Sequence, residues 1–152
     1  MALAEHVDPD RIEVLATDYN EELLERCRRA SYSVSRLEEV PERYRHYLCM
    51  SDTGKRFSFS DELLGSVTVR HLNLLEDEYL EEFDLISCRN VIKFFARDAK
   101  ARVLAGLASS LAPGGYLFLA TNNFGSLMES IPRPAKLGLR RIGHTNIYQR
   151  IV

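Results

Sequence analysis

Four short apolar segments, each followed by polar residues, set the pattern of this chain. Their residues are mostly Val, Ile, Leu, Phe and other apolar types, which is typical of strands buried on both faces of a parallel sheet. The segments are 12–18, 66–72, 83–88 and 116–120. The pattern therefore predicts a central sheet of at least four strands.

Two other segments have apolar residues at helical spacing. In the first, Asn20 is the predicted N-cap, the acidic residues come early and the arginines come late, as the helix dipole favours. Its apolar face is made of Leu23, Leu24, Cys27 and Ala30. In the second, Asp98 is the predicted cap and 113–115, Pro-Gly-Gly, ends the helix. Its buried stripe is made of Val103, Leu104, Leu107 and Leu111.

The remaining segments complete the predicted organisation. Residues 31–66 are too structured for a linker and too long for one connection, so they predict an inserted subdomain with short helices at 34–40 and 41–48 and a strand at 56–59. Residues 137–142 and 146–152 predict an antiparallel hairpin. The predicted fold class is therefore α/β, with a mostly parallel sheet and an antiparallel C-terminal hairpin.

Composition excludes several classes of function. The 152 residues carry a net charge of −2, so no nucleic-acid partner is expected. The basic runs 26–29 and 140–141 are interpreted as solvated faces. Three scattered cysteines and four scattered histidines predict neither disulfides nor a metal site. No signal peptide or apolar run of about 18 residues is present, so we expect a cytoplasmic protein without membrane insertion.

Polar residues follow all four predicted strands, where ligands bind in open α/β sheets. They are Asp18, Asn73 with Leu74, Arg89 with Asn90, and Thr121-Asn122-Asn123. A structural role is open for each of the first three: Asp18 as a helix cap or turn residue, Asn73 as a turn residue, and Arg89 as the partner of a local Glu. Together the residues favour a small-molecule site.

At this point the sequence resembles the CheR family, S-adenosylmethionine-dependent methyltransferases that esterify glutamates of chemoreceptors. The resemblance runs from about residue 11 to the end and rests on 15–18 (Leu-Ala-Thr-Asp), 32–33 (Tyr-Ser), 71–75 (His-Leu-Asn-Leu-Leu), 83–91 (Phe-Asp-Leu-Ile-Ser-Cys-Arg-Asn-Val), 111–119 (Leu-Ala-Pro-Gly-Gly-Tyr-Leu-Phe-Leu) and 147–150 (Ile-Tyr-Gln-Arg). The family implies a Rossmann-like class I sheet. It also implies Asp18 at the cofactor ribose, Asn73 and Leu74 near the adenine, and Arg89 and Asn90 at the cofactor. Segment 31–66 corresponds to a small subdomain that binds a receptor tail in some members.

The sequence departs from the family pattern in three ways. The glycine-rich loop and the strand that precede Asp18 in the family are absent, which predicts a single partial domain, 1–152, truncated at its N-terminus. That strand lies between the strand of Asp18 and the strand of Asp84. Without it, a further chain supplies it, the two edges close up, or the chain folds poorly. Phe94 stands at the family's Tyr position, and Lys93 and Thr121-Asn122-Asn123 replace other usual residues.

Two hypotheses on function follow. By resemblance, the chain is a protein-glutamate O-methyltransferase that uses S-adenosylmethionine and acts on a methyl-accepting chemoreceptor. The alternative is a non-catalytic remnant or regulatory binding module that keeps the fold but lacks cofactor-binding capacity. The chain is also interpretable as a fragment of a longer protein. Transfer from a sulfonium needs positioning and no strong base, so no catalytic His or Cys is expected.

Overall fold

The computed structural model describes residues 1–80, 82–120 and 134–151. The strands in these ranges are β1 Val14–Asp18, β2 Tyr32–Ser33, β3 Leu48–Met50, β4 Arg56–Phe59, β5 Val67–His71, β6 Phe83–Arg89, β7 Leu111–Ala120, β8 Leu139–Arg141 and β9 Ile147–Arg150. The α-helices are α1 Glu21–Arg29, α2 Asp61–Gly65 and α3 Arg97–Ser109. Short 3-10 helices span Leu3–Glu5, Pro9–Arg11, Val34–Glu39, Glu42–Tyr47, Ile92–Phe94 and Pro134–Leu137.

The chain forms two compact units, Met1–Asn73 and Leu74–Val152. In the first unit, β1 and β5 pair in parallel, from Val14 opposite Val67 to Asp18 opposite His71. The helix α1 directly follows β1, as the sequence predicts. None of the helices in the described ranges combines the length and the apolar character needed to span a bilayer.

The start of α1 is the predicted one. The Asn20 side chain accepts hydrogen bonds from the backbone N–H groups of Glu22 and Leu23, at 2.9 and 3.3 Å, which satisfies two donors that a helix start leaves open. The predicted apolar face is only partly correct. Leu24 is 2% exposed, whereas Leu23 is 44% exposed, because one face of so short a helix turns to solvent.

The inserted segment between α1 and β5 forms a three-stranded antiparallel sheet in the order β2-β4-β3. The strand predicted at 56–59 is confirmed as β4, and the two predicted short helices are 3-10 helices. The rings of Tyr32, Phe57 and Phe59 pack on this sheet, with centroids 5.7–6.4 Å apart. Phe57 is 3% exposed, so this aromatic cluster is the core of the insertion.

The second unit contains a four-stranded sheet in the order β6-β7-β9-β8. β6 and β7 are parallel, and β9 pairs antiparallel with both β7 and β8, which confirms the predicted C-terminal hairpin. Its core is formed by side chains of α3, of the sheet strands and of the 3-10 helix after β6: Cys88, Ile92, Val103, Leu104, Leu107, Ala108, Leu111, Leu117, Leu119, Leu139 and Tyr148. Full burial of each large apolar side chain contributes about 1.5–3 kcal/mol.

Two predictions about α3 are wrong in detail. Asp98 is not the cap; it lies in the first turn, and Ala96 occupies the cap position without a side-chain hydrogen bond. Leu111 is fully buried as predicted, but it belongs to β7 and lies opposite Phe83. The helix ends at Ser109, two residues before Leu111. The carbonyl of the next residue, Ser110, accepts a hydrogen bond from the backbone N–H of Phe83, at 2.9 Å.

The Pro-Gly-Gly segment lies inside β7, where the parallel register with β6 shifts between Phe83 and Leu85. Gly114 has a φ of +81°, which side chains disfavour. A Cβ on Gly115 would lie 2.8 Å from the carbonyl oxygen of Phe83. These glycines therefore let the strand pass through a bend at close range to β6.

Burial of β1 and β6 on both faces is also wrong for the described residues. Val14 is 38% exposed and Leu85 is 50% exposed. In the described structure β1 pairs with β5 alone and β6 pairs with β7 alone, so each is an edge strand of its sheet. An edge strand has a neighbour on one side only, and its apolar side chains are covered less completely.

Candidate functional site

Asp18 ends β1 with its carboxylate exposed to solvent. Its Oδ1 atom accepts a hydrogen bond from the backbone N–H of Asn20, at 2.8 Å. The predicted turn role is therefore present, but it occupies a single carboxylate oxygen. No described residue donates to Oδ2, so this atom is available to a donor from solvent or from a ligand.

The carboxyl end of β5 lies beside Asp18 in the first unit. The ring of His71 is 5.5 Å from the ring of Tyr19, which follows Asp18 and is 68% exposed. Asn73 follows two residues after β5 and is half-buried. The parallel pairing of β1 and β5 thus places a carboxylate and an aromatic pair at one edge of the sheet, with an amide two residues further along the chain.

Arg89 and Asn90 occupy the carboxyl end of β6 in the second unit. Arg89 lies opposite Ala120, the last residue of β7, and is exposed. It forms no ion pair with any described carboxylate, so the alternative of a local Glu partner finds no support in this part of the chain. Asn90 has a φ of +59°, a left-handed conformation that Asn tolerates better than most residues. The chain therefore turns sharply here and leaves both side chains exposed.

Leu74 is held by a residue that the sequence does not single out. The Tyr79 hydroxyl donates a hydrogen bond to the Leu74 carbonyl oxygen, at 2.7 Å. Both residues pack against the core of the second unit. A Cβ on Gly106 in α3 would lie only 2.5–2.7 Å from ring carbons of Tyr79, so the ring fits against the bare helix backbone. Tyr79 therefore fixes the segment that begins with Leu74.

Cys88 and Phe94, which lie near the end of β6, have opposite surroundings. Burial raises the pKa of the Cys88 thiol to about 11, so it is a neutral core group at neutral pH. Phe94 is 79% exposed, and the Lys93 ammonium lies 5.0 Å from the centre of its ring. The two side chains form a cation–π contact at the surface.

The predicted residues are divided between the two units. Asp18 and Asn73 belong to the first unit, and Leu74, Arg89 and Asn90 belong to the second. The predicted polar run 121–123 lies outside the described residues. No cluster of three or more potential metal-ligating side chains occurs in the described part of the chain.

The sequence interpretation missed two features. Tyr79 had one available signal, the isolated Gly106 inside a helical pattern, since such a glycine often marks a close approach. The basic run 26–29 was interpreted as a solvated face, and this holds for Arg28, which pairs with Glu21 and Glu25. Arg26 and Arg29 instead line a cleft together with arginines from other elements.

Comparison with known proteins identifies similar chains. The family model described as CheR methyltransferase, SAM binding domain, matches residues 1–130. A chemotaxis protein methyltransferase of Listeria monocytogenes is 32% identical over 144 residues, which are 95% of this chain and 52% of that protein. Chemotaxis protein methyltransferase 1 of Vibrio cholerae is 37% identical over 114 residues, or 73% and 41% of the two chains.

One solved structure shows a similar fold. A crystal structure of a possible exported protein from Bordetella parapertussis superposes with a TM-score of 0.51 at 13% identity, over 92% of this chain and 54% of that one. The chain spans about half the length of the curated relatives it matches. The similarity therefore concerns a domain-sized part of those proteins.

Proposed function

Because this chain belongs to the CheR family of SAM-binding methyltransferase domains, we propose that it forms the cofactor-binding part of a protein-glutamate O-methyltransferase that acts on chemoreceptors. S-adenosylmethionine is the cofactor that the family description names. The observation that carries the proposal is the exposed carboxylate of Asp18 at the carboxyl end of β1. Its position is the one that a ribose-binding acid takes in nucleotide-binding α/β folds.

Asp18 fits this task because its turn uses only Oδ1. The Oδ2 atom is left to accept a hydrogen bond from a ribose hydroxyl, and a charged acceptor makes that bond stronger than a neutral one. We assign the adenine end to Asn73 and Leu74, where an amide offers both a donor and an acceptor beside an apolar side chain. Arg89 and Asn90 would hold the remaining polar part of the cofactor.

When bound, S-adenosylmethionine supplies a methyl group on a positively charged sulfur. A glutamate side chain is already ionised at neutral pH, so it attacks without a general base. The residues of the chain therefore act by holding two reactants in line and excluding water. Phe94, which lacks the hydroxyl of a Tyr, offers an apolar face for this purpose. The neutral thiol of Cys88 takes no part.

The relatives are named for chemotaxis, which supports a chemoreceptor glutamate as the substrate and the cytoplasm as the compartment. We further propose that segment 31–66 contacts the receptor tail, since it forms a separate small sheet within the first unit. We also propose that the edge strands β1 and β6 pair with further backbone. A segment outside this sequence or another chain would supply that backbone, since the relatives are much longer than this chain.

Calorimetry with S-adenosylhomocysteine tests the cofactor site. We expect micromolar binding to the chain, equivalent to about −8 kcal/mol. Asp18→Asn keeps the acceptor for the Asn20 N–H and removes the charge. It should therefore weaken binding by roughly tenfold or more, as expected for one charge-assisted hydrogen bond.

The matched control is Asp52→Asn, which removes an equivalent exposed charge in the turn before β4. Unchanged affinity in Asp18→Asn would remove this residue from the site. Equal losses in both variants would indicate a general charge effect. No binding to the wild-type chain at about millimolar ligand would support the non-catalytic alternative instead.

A further inference from the structure

A cleft with a volume of about 530 Å³ lies in the first unit, and none of the residues assigned to the cofactor lines it. Its walls come from the last turn of α1, from β2, from the following 3-10 helix and from β4. Four arginines line it, Arg26, Arg29, Arg36 and Arg56, together with the hydroxyl-bearing residues Ser31, Ser33 and Tyr32. No carboxylate lines this arginine cleft.

Two of the four guanidinium groups are held in place by described partners. Arg56 donates from Nε to the Ser31 hydroxyl and from Nη2 to the Ser31 carbonyl oxygen, at 2.8 and 2.6 Å. Arg36 donates from Nε and Nη2 to the two carboxylate oxygens of Glu39, at 3.0 and 2.8 Å. These contacts orient the two groups before any ligand arrives, which lowers the entropic cost of binding.

The other two arginines have no described ionic partner. Arg26 and Arg29 lie in the last turn of α1 and pair with no carboxylate in the described ranges. Arg28, between them, is neutralised by Glu21 and Glu25. The helix dipole favours cations at this end, which accounts for basic residues on α1. It does not account for Arg36 and Arg56, which come from other elements and face the same space.

The Glu39 carboxylate offsets the charge of Arg36. The other three arginines of the cleft have no described carboxylate partner, so they repel one another on this concave surface and focus their field on an anion. Arg26 and Arg29, which have no described hydrogen-bond partner, each offer a complete guanidinium fork, and this fork matches phosphate oxygens through paired hydrogen bonds. The volume falls within the range of about 300–1,000 Å³ that is usual for small-molecule sites. The ring of Tyr32 is already packed on Phe57 and Phe59, so the wall beneath the arginines is rigid.

We propose that the arginine cleft binds a small molecule with two or more phosphate groups, of the size of a nucleoside diphosphate. Inorganic pyrophosphate and a nucleotide share this chemistry. A compact ligand agrees with a cleft of this volume better than an extended acidic peptide, which would use only part of the charge. The site is independent of the proposed cofactor site, since none of Asp18, Asn73, Leu74, Arg89 and Asn90 lines it.

Calorimetry on the full chain with pyrophosphate and with ADP, at low and at physiological salt, tests the proposal. We expect both to bind, and we expect affinity to fall as salt screens the exposed charges. The double variant Arg26→Gln/Arg29→Gln removes two charges without breaking a described contact. It should weaken pyrophosphate binding by roughly tenfold or more.

The matched control is Arg28→Gln, one change on the same helix turn outside the cleft, which should alter affinity by less than about twofold. Tighter binding of ADP than of pyrophosphate identifies the nucleotide as the source, and the reverse identifies free phosphates. Asp18→Asn should leave pyrophosphate binding unchanged, because pyrophosphate has no ribose or adenine, and this separates the arginine cleft from the cofactor site. No binding at about 1 mM ligand, an equal loss in Arg28→Gln, or tighter binding of a hexa-glutamate peptide would overturn the proposal.

Discussion

Gly106 lies inside α3 with the ring of Tyr79 directly against the helix backbone. A Cβ at this position would lie 2.5 Å from Cζ of Tyr79 and 2.6–2.7 Å from its two Cε atoms. The ring cannot move freely, because its hydroxyl is bonded to the Leu74 carbonyl and it packs on the core. We therefore predict that Gly106→Ala destabilises the fold, although alanine is the better helix former.

The magnitude follows from three terms. Replacing a helical Gly by Ala ordinarily stabilises by about 0.5–1 kcal/mol. Overpacking in a fixed environment costs about 1–3 kcal/mol. A displaced Tyr79 also loses its hydrogen bond to Leu74, which contributes about 0.5–1.5 kcal/mol. The expected net loss in the free energy of unfolding is therefore about 0.5–4 kcal/mol.

Urea unfolding followed by circular dichroism measures this loss. With a slope of about 1–3 kcal/mol per molar urea, a loss of about 2 kcal/mol lowers the midpoint by about 0.7–2 M. The control is the same substitution in a Tyr79→Ala background. There the ring is gone, so Gly106→Ala should raise stability by about 0.5–1 kcal/mol. The sign of the effect thus reverses between the two backgrounds.

A stabilising Gly106→Ala in the wild-type background would refute the close contact of Tyr79 and α3. So would equal losses in both backgrounds, since a pure helix or backbone effect does not depend on the ring. A reversal of sign with a coupling of about 2 kcal/mol between the two sites would support the contact as the device that fixes Leu74.

Three further predictions concern the cap, the buried thiol and alkaline pH. Asn20→Ala removes the cap of α1 and should lower the free energy of unfolding by about 0.5–2 kcal/mol. The control, Ser60→Ala, removes a buried hydroxyl without a described partner. It should leave stability unchanged or raise it in the same urea assay. In the native protein, Cys88 should react with a thiol reagent far more slowly than the other two cysteines, because burial raises its pKa to about 11. Equal rates for the three cysteines would contradict the burial of Cys88. Burial, with a smaller contribution from Cys88, raises the pKa of Tyr79 from 10.0 to about 12. Tyr79 and Cys88 both lose their protons at higher pH in the folded state than in the unfolded state. Their stabilising contribution is therefore complete below about pH 9 and is lost as pH rises towards 12. Urea midpoints should fall over this range and fall less in Tyr79→Phe; a flat profile would exclude the effect.

Local chemistry explains why several elements were predictable from sequence. The cap of α1 needs only an Asn before a helical segment, and its hydrogen bonds reach residues two and three positions away. The hairpin of β8 and β9 follows from two β-rich segments joined by a turn. The position of Asp18 at a strand end follows from where the apolar segment stops. In these cases, the interactions that decide the structure lie within a few residues of one another.

The start of β7 and the burial of the strands were not predictable in this way. Pro-Gly-Gly predicts a chain break after a helix, yet Leu111 already pairs with Phe83. Whether Leu85 is covered depends on which strand lies beside β6, and a residue pattern within one strand carries no information on its neighbour. Edge strands and central strands can have the same apolar sequence.

The sequence by itself determined the order and type of most elements, the polar residues at the strand ends and the family. The tertiary structure decided which of these residues meet. Arg56 contacts Ser31 across 25 positions of the chain, and that contact brings β4 and the start of β2 to one wall of the arginine cleft. Tyr79 reaches Gly106 in the same way, through packing of α3 on the sheet. The reason is physical: periodicity and capping act over one or two turns, whereas a cleft and a close packing contact need elements that only burial of apolar surface brings together.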